Sequence, residues 1–406
     1  MTDKAPRNLV VCCDGTSNEI GKLLSNVLKL YRIAEKSERQ ITFYQPGIGT
    51  IAMPDDWGRW RQRWRSIFEM GTGAGLDRDV LGAYTFLARN YRPGDRIFLF
   101  GFSRGAYTVR VVAGMIYLIG LLRAHQVNFA GYAWKAYKTA KESDDYQAAR
   151  EFRDIVLPDC VPVHFVGVWD TVSSVIVPGR LPFSKLRLEE LPFTGVNPAV
   201  QVFRHAMAID EFRRMFRVKA WAANQVFKPN PHSQAKPVDQ DTRQVWFAGC
   251  HSDVGGGFVE DQSALSKFPL LWMLEQAKAQ GLILRTAMIN HIVRGQPLAG
   301  ARDYQKPDPA GQLHSSMQWY WKIAELWPKR VRASDWPNRK GWIGYYLPLG
   351  EPRYIEPESL IHISVIERMR DTLEYHPKNL PDIRTEESLT GPNTVKGKPP
   401  SSARRA

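Results

Sequence analysis

Several segments of the chain are almost continuously apolar, and each of them ends at a turn. The longest are Arg7 to Cys13, Arg96 to Phe102 and Val161 to Trp169, and shorter ones run over Ile41 to Gln45 and Gln244 to Gly249. Strands without polar alternation are covered on both faces, and helical patterns separate these segments. The sequence therefore predicts an α/β fold, with a mostly parallel sheet and helices on both faces.

The chain has 406 residues, of which 44% are hydrophobic, and this suffices for one large core. We predict a single domain over residues 1–375. Two stretches rich in proline, aromatic and basic residues, about 176–241 and 293–357, are predicted to be insertions at one end of the sheet. The polar, proline-containing residues 376–406 are predicted to form a disordered tail.

The compartment is predicted from what the sequence lacks. The opening MTDKAPRNLVVCCDGT has no long apolar core of a signal peptide, and no apolar run reaches the roughly 18 residues of a membrane span. The four cysteines (Cys12, Cys13, Cys160 and Cys250) form no metal or redox spacing, so we expect reduced thiols. These features predict a cytoplasmic protein.

Lysine and arginine outnumber aspartate and glutamate by 55 to 41, which gives a net charge of +14. A surplus of this size indicates attraction to phosphate-bearing surfaces, either nucleic acid or anionic lipid. Composition does not choose between them. A non-catalytic module that binds an anionic surface is therefore one of the functions to be weighed.

The strongest local signal is the run Gly101-Phe102-Ser103-Arg104-Gly105. A G-x-S-x-G pattern is weak alone, but here it lies between the strand Arg96–Phe102 and a helix predicted to run from about Arg104 to Leu122. That context is typical of a nucleophile elbow, in which the glycines permit a sharp turn and the serine is exposed. The alternative is an ordinary glycine-rich turn with a capping serine.

A serine nucleophile needs a base, and His251 is the best candidate. It follows the apolar strand that ends at Gly249 and precedes a glycine-rich loop, so it can reach the same edge of the sheet. We expect structural roles for His164 in a strand, His205 in a predicted helix and His362 among apolar neighbours.

The orienting acid is predicted to be Asp170, which ends the strand Val161 to Trp169 and lies between the serine and the histidine in sequence. Asp210 is the alternative acid. Asp253 is too close to His251 along the chain to be a comfortable partner. Asp170 could instead be a strand-end carboxylate that binds loop amides.

Acyl transfer also needs two donors for the oxyanion. One is the backbone N–H of Arg104, the residue after the nucleophile, and the other is expected from Gly15 or Thr16 after the first strand. Asp14 has no companion carboxylates nearby in sequence, so we predict no metal site and no cofactor.

Several motifs occur together in one order: Cys13-Asp14-Gly15-Thr16, GFSRGA at Gly101–Ala106, GVWDT at Gly167–Thr171, Ile209-Asp210-Glu211, WFAGCHSDVGGG ending at Gly257, and His362-Ile363-Ser364-Val365 with Arg368. Together they resemble the phospholipase catalytic family of bacterial type VI secretion lipase effectors and its uncharacterised α/β-hydrolase relatives. The resemblance covers about residues 8 to 370.

This resemblance implies an α/β-hydrolase-like fold and ester hydrolysis by Ser103, Asp170 and His251, with phospholipids as the best-known substrates of the family. The resemblance also implies that a secretion system could deliver the protein. A small-molecule esterase or thioesterase with the same triad is the rival enzyme. We expect a lipid or other ester as substrate and no nucleic-acid partner.

The segment Asp56 to Phe68 places Trp57, Trp60 and Trp64 on one helical face, with Arg61 and Arg65 beside it. Tryptophan flanked by arginine suits a lipid interface, because indole is apolar with a polar group and arginine pairs with phosphate. The alternative is a lid or cover helix that docks this face on the sheet. The tryptophan-rich stretch Trp319 to Trp342 allows the same two interpretations.

Overall fold

A computed structural model of the chain describes residues 6–15, 23–47, 74–142, 146–172, 176–177, 187–188, 191–231, 233–326, 328–331, 341–342, 344–381, 383–388 and 391–396. Its helices are α1 (Asn26–Ile33), α2 (Ala74–Asn90), α3 (Arg104–Leu118), α4 (Ala130–Glu142), α5 (Gln147–Val156), α6 (His251–Gly255), α7 (Lys267–Ala279), α8 (Thr286–Ile292), α9 (Trp319–Glu325) and α10 (Ile363–Asp371).

The strands are β1 (Asn8–Cys13), β2 (Gln40–Gln45), β3 (Arg96–Phe102), β4 (Val163–Trp169), β5 (Ile176–Val177), β6 (Arg187–Leu188), β7 (Val200–Ala208), β8 (Val226–Phe227), β9 (Val238–Asp239), β10 (Asp241–Phe247), β11 (Lys329–Arg330), β12 (Tyr345–Tyr346), β13 (Leu360–His362), β14 (Ile383–Ser388) and β15 (Gly391–Lys396). Nine of these strands form one sheet in the order β15-β14-β13-β10-β7-β4-β3-β1-β2. Every neighbouring pair in it is parallel except β14 with β15.

Helices cover both faces of the sheet. One core cluster joins β1, β3 and β4 to helices α2, α3 and α4, and a second joins the opposite face to α1, α7 and α8. The strands are short apolar runs whose side chains alternate between these two clusters: Leu99 belongs to the first, Phe98 and Phe100 to the second. The predicted α/β fold class is confirmed.

The first predicted insertion contains a central strand. Residues Val200–Ala208 form β7, between β4 and β10, so the boundaries 176–241 were wrong, and His205 lies in this strand rather than in a helix. Two buried polar residues, Arg204 and His205, interrupt the apolar pattern by which the strand could have been predicted from the sequence. Each has partners: Arg204 binds Asp241 at 2.6 Å, and His205 Nε2 accepts the N–H of Thr171 at 3.1 Å.

The predicted disordered tail also differs from the structure. Ile383–Ser388 pairs in parallel with β13, and Gly391–Lys396 turns back antiparallel to it, so residues that we assigned to the tail extend the sheet. Composition does not predict these strands, because the segment has no apolar periodicity of its own. Its backbone N–H and C=O groups are instead satisfied by main-chain hydrogen bonds to an existing strand.

Two glycines permit the turn between β3 and α3. A Cβ atom added to Gly101 would lie 2.4 Å from the carbonyl oxygen of Gly105, and one added to Gly105 would lie 2.1 Å from the carbonyl oxygen of Cys13. Real Cβ atoms do not approach backbone this closely, so α3 can pack against the end of β1 because position 105 carries no side chain.

We therefore expect Gly105→Ala to lower the free energy of unfolding by about 3 kcal/mol or more, because backbone must move to admit the methyl group. Urea denaturation measures this. Gly131→Ala is the matched control, since a Cβ there meets nothing within 4 Å and the residue is helical. A Gly105→Ala protein as stable as the Gly131→Ala control would contradict the packing argument.

Two buried histidines make stability depend on pH. Burial lowers the pKa of His205 to about 3, with the charge of Arg110 as a further cause, and burial lowers the pKa of His362 to about 3. His362 also caps α10, because its ring accepts the N–H of Ser364. In the unfolded chain both rings take a proton near pH 6.5. Their contribution to stability is therefore present above that pH and is lost as the pH falls toward 3.

His362→Asn should keep the cap and remove one titrating group. We expect the loss of unfolding free energy between pH 7.5 and pH 5 to be smaller in this variant by up to about 1.4 kcal/mol per pH unit below 6.5. Urea denaturation at the two pH values decides this, and an unchanged pH dependence would assign the effect to other groups.

Candidate functional site

The register of the sheet brings the predicted site residues to one edge. At the carboxyl ends of the strands Cys13 pairs with Gly101, Phe102 with Trp169, Trp169 with Ala206, and Ala208 with Phe247. Asp14, Ser103 and Asp170 follow directly after these ends. Asp210 is the second residue after β7, and His251 is the fourth after β10. Ligands of open α/β sheets bind at this edge.

Ser103 has a strained backbone. Its φ is 56° and ψ is −119°, a conformation that costs a non-glycine residue on the order of 1–3 kcal/mol. The side chain is half-buried and makes no capping hydrogen bond to α3. Its own N–H donates to the carbonyl of Trp169 at 3.1 Å. The capping-serine alternative therefore finds no support, whereas the strained turn has the geometry of a nucleophile elbow.

Asp170 and His251 are in direct contact. His251 Nδ1 lies 2.5 Å from Asp170 Oδ2, and both residues are buried. Asp170 also has a positive φ of 38°, so the chain bends sharply where β4 ends. The two residues are 81 positions apart in sequence. They meet because each follows the carboxyl end of a strand in the same sheet.

Two phenylalanine rings hold the imidazole of His251. The Phe102 ring lies 4.7 Å from it, measured between centroids, and the Phe216 ring lies edge-on at 5.1 Å. The guanidinium of Arg213 lies 3.6 Å from the Phe216 centroid and is fixed by Glu211 at 2.8 Å. Phe102 precedes Ser103, so the imidazole is packed beside the serine turn.

Arg353 is a residue of this site that the sequence did not reveal. Its side chain is buried, and its two terminal nitrogens lie 2.5 Å and 2.9 Å from the two oxygens of Asp170. The same guanidinium donates to the carbonyls of Ala208 and Phe216. Pro352-Arg353-Tyr354 lies inside the second predicted insertion and carries no motif that would point to Asp170.

The partners of Asp170 keep it ionised. Burial opposes the charge, but the positive charge of Arg353 and the hydrogen bonds from His251 and Arg353 outweigh burial and lower the pKa of Asp170 below its usual range. An ionised carboxylate accepts hydrogen bonds and donates none. The proton between the two residues therefore lies on His251 Nδ1, and Nε2 is the nitrogen that can accept another.

The other candidate acids have different partners. Asp210 Oδ2 accepts the N–H of Gly249 at 2.7 Å and the hydroxyl of Tyr375 at 2.8 Å, and burial raises its pKa. Asp253 binds the ring of His314 at 2.7 Å. Both carboxylates hold the loop that carries His251, and neither hydrogen-bonds to the imidazole.

The first-strand loop carries the predicted second oxyanion donor. Gly15 donates its N–H to the carboxylate of Asp14 at 2.7 Å. Asp14 in turn accepts hydrogen bonds from Ser25 and from Tyr44, the latter at 2.8 Å. Arg104 is the first residue of α3, where backbone N–H groups point out of the helix.

Some predicted residues lie outside the part of the chain that the structure describes. They are Thr16 and the whole segment from Asp56 to Phe68, including Trp57, Trp60, Arg61, Trp64 and Arg65. In the described ranges no three His, Cys, Asp or Glu side chains lie close enough together to hold a metal ion. No helix of those ranges has the length and apolar character needed to cross a membrane.

The chain is similar to several known proteins. It is 24% identical over 561 residues to the uncharacterized protein YEL023C of Saccharomyces cerevisiae, covering 93% of this chain and 81% of that protein. One similar solved structure is an uncharacterized protein from Pseudomonas aeruginosa, at 17% identity and a TM-score of 0.36; it covers 70% of this chain and 47% of that one. Another is the Tle1 effector bound to the VgrG spike of the type 6 secretion system, at 17% identity and a TM-score of 0.30, covering 64% and 53%.

The chain thus spans about half the length of each of these solved structures. A family model described as "T6SS, Phospholipase effector Tle1-like, catalytic domain" matches residues 7–276. The match includes the turn at Ser103, the end of β4 at Asp170 and the loop at His251, and it ends before the motif at His362. The protein belongs to this family of Tle1-like phospholipase effector catalytic domains.

Proposed function

We propose that the protein is a serine hydrolase that cleaves carboxylic esters through an acyl-enzyme, with phospholipids as substrates. The observation that carries the proposal is the buried Asp170–His251 pair beside the strained turn at Ser103. Membership in a phospholipase catalytic family supports the reaction type. The residue roles and the substrate are our proposal.

In the first half of the reaction Ser103 Oγ attacks the acyl carbonyl carbon while His251 Nε2 takes the serine proton. Asp170 holds the Nδ1–H and stabilises the imidazolium that forms. The tetrahedral intermediate then collapses, and the ester oxygen leaves with the proton from Nε2. The products of this half are a free alcohol and Ser103 carrying the acyl group.

In the second half His251 Nε2 removes a proton from water, and the resulting hydroxide attacks the acyl-enzyme. Collapse of the second intermediate returns the proton to Ser103 and releases a carboxylic acid. In both halves the negative oxygen is stabilised by the backbone N–H of Arg104 and a second donor from the loop after β1. Gly15 can serve only after its N–H leaves the Asp14 carboxylate, so substrate entry would have to open that contact.

A long-chain ester in a membrane suits the proposal better than a small free ester. The chain carries a net charge of +14, and phospholipid surfaces in cells are often anionic. The cleavage would be of the phospholipase A type, since the triad attacks carboxylic esters and not phosphodiesters. Hydrolysis rates on phospholipid micelles and on monomeric short-chain esters distinguish a lipase from the rival esterase or thioesterase.

The identity of the nucleophile is tested by covalent labelling. A fluorophosphonate probe should add once to the wild-type protein, because the activated Ser103 displaces fluoride from phosphorus. Ser103→Ala should gain no adduct in the mass spectrum of the intact protein. Equal labelling of the two proteins would reject Ser103, and the absence of labelling from both would favour the non-catalytic module.

The identity of the acid is tested by a matched pair of substitutions. Asp170→Asn should lower turnover by about four orders of magnitude, because the amide favours the wrong tautomer of His251. Asp210→Asn keeps an oxygen for Gly249 and Tyr375, so we expect a fall of less than tenfold. The measurement is kcat on a short-chain ester, with circular dichroism as the check of folding. The reverse ranking would assign the acid to Asp210.

Arg353 is tested through the pH profile of kcat/KM. Its positive charge lowers the pKa of the Asp170 carboxyl. Without that charge Asp170 takes a proton at higher pH, so Arg353→Met should move the acid limb of the profile to higher pH. We also expect turnover to fall, because Asp170 loses two hydrogen bonds that orient it.

Arg217→Met is the control for Arg353. Arg217 is also a buried arginine, and it binds Glu351 at 2.5 Å and the carbonyl of Pro352 rather than Asp170. Its replacement should destabilise the fold without moving the acid limb. If Arg353→Met lowers kcat/KM by one factor at every pH, Arg353 has a purely structural role.

A further inference from the structure

The strand β12 and the residues after it present apolar side chains to solvent. From Tyr345 to Leu349 the exposure alternates: Tyr345, Leu347 and Leu349 are 51%, 47% and 65% exposed, whereas Tyr346 is half-buried and Pro348 is buried. Successive side chains of a strand point to opposite sides, which accounts for Tyr345 and Tyr346 in β12. Leu349 lies in the turn that follows, with a φ of 52°. The side that faces water usually carries polar side chains, but in this segment it carries apolar ones.

Helix α9 repeats this arrangement. Trp319 is 71% exposed, and Leu326, directly after the helix, is 58% exposed. Lys322 is exposed as well, and positions 319, 322 and 326 share one helical face. The opposite face holds Trp321, which packs edge-on against Phe216 at 5.7 Å, and the buried Glu325.

The backbones of α9 and of the segment after β12 are joined by a hydrogen bond. The carbonyl of Glu325 accepts the N–H of Leu349 at 3.5 Å, and Trp342, which is 83% exposed, is bridged to Tyr345. We call Trp319, Leu326, Trp342, Tyr345, Leu347 and Leu349 the outer apolar patch. Large exposed apolar residues that adjoin one another, rather than being scattered singly, mark interaction sites.

The inner faces of the same elements are fixed beside the candidate active site. Arg214 donates its N–H to Glu325 and its Nε to the hydroxyl of Tyr346, both at 2.7 Å. Phe216, two residues further on, touches both Trp321 and the imidazole of His251. The outer apolar patch is therefore carried by elements that are one side-chain layer away from the ring packed on His251.

The composition of this region indicates what the patch contacts. Residues 319–349 contain five of the chain's 13 tryptophans, and six lysines and arginines against two acidic residues. Tryptophan and tyrosine prefer the boundary between lipid and water, and nearby cations pair with anionic headgroups. A partner chain of ordinary charge balance would not require both features, whereas an anionic bilayer matches both.

We propose that the outer apolar patch is an interfacial surface that docks the protein on an anionic phospholipid bilayer, with α9 and β12 lying against the headgroups. This inference rests on the proposed function for its biological sense, but binding can be measured without catalysis. It places the contact on residues other than the Trp57–Phe68 segment that the sequence singled out.

The test uses the full chain with Ser103→Ala, so that vesicles are not consumed. Binding is measured by sedimentation with vesicles of equal parts phosphatidylcholine and phosphatidylglycerol, and with phosphatidylcholine alone. Adding Trp342→Ala and Leu349→Ala should lower partitioning into the anionic vesicles at least tenfold. Lys322→Glu should lower it roughly fivefold or more, with the larger effect at low salt.

The matched control replaces Tyr132 and Ile155, which are 68% and 81% exposed on α4 and α5, by alanine. It should bind vesicles as the parent does. Light scattering of the parent and the Trp342→Ala/Leu349→Ala variant supplies a second readout. If the parent is an oligomer and the variant is a monomer, the patch is a contact between copies and the proposal is overturned. Equal vesicle binding by the variant and the control would also overturn it.

The two proposals fail in different ways. If serine labelling fails but the patch variants lose vesicle binding, the docking surface stands and the hydrolase does not. In the protein that retains Ser103, the Trp342→Ala/Leu349→Ala double substitution should lower hydrolysis of vesicle phospholipid about tenfold. Hydrolysis of a monomeric short-chain ester should stay within about twofold of the parent. Equal losses on both substrates would overturn the docking surface even with the triad intact.

Discussion

The arrangement of the site depends on one buried charge, the carboxylate of Asp170. A charge without water is tolerated when other groups surround it with opposite charge and hydrogen bonds. Here the partners are His251, Arg353 and the N–H of Ala208, at 2.5 to 3.0 Å. They come from three distant parts of the chain. Loss of a partner would leave the buried charge partly unpaired. The bonds to the carboxylate therefore fix the positions of all three parts of the chain.

The neighbours of Asp170 also determine what His251 can do. The carboxylate selects one tautomer, and Phe102 and Phe216 leave the ring little freedom to turn. Behind Phe216, the Glu211–Arg213 ion pair holds the phenylalanine in place. Burial opposes ionisation of Glu211, but its bond to Arg213 outweighs burial and lowers the pKa of that carboxyl. In the proposed reaction His251 would be a base that is oriented before substrate arrives, which is the form of preorganisation that lowers a reaction barrier.

The two stretches that look like insertions in the sequence complete the domain. The first supplies β7, against whose end Asp170 is fixed, since its N–H donates to Ala206 at 2.7 Å. The second supplies Arg353 and also carries the outer apolar patch on α9 and β12. A single segment of the chain thus reaches from the buried carboxylate to the exposed surface. In the mechanism proposed here, the element that would meet the lipid is attached to the element that orients the acid.

The sequence by itself determined the sheet class and three residues at its carboxyl edge. Continuous apolar runs require cover on both faces, and residues that follow parallel strands share an edge. Ser103, Asp170 and His251 could be placed from these local rules. The strand at His205, the strands after residue 376 and the role of Arg353 could not. Arg204 and His205 are tolerated inside β7 because residues distant in sequence form hydrogen bonds with their side chains. The strand β14 forms because the edge of β13 has backbone N–H and C=O groups with which it can pair. Likewise, the choice of Asp170 over Asp210 as the partner of His251 was decided by tertiary structure, because both carboxylates follow strands and only the packed fold shows which one meets the imidazole.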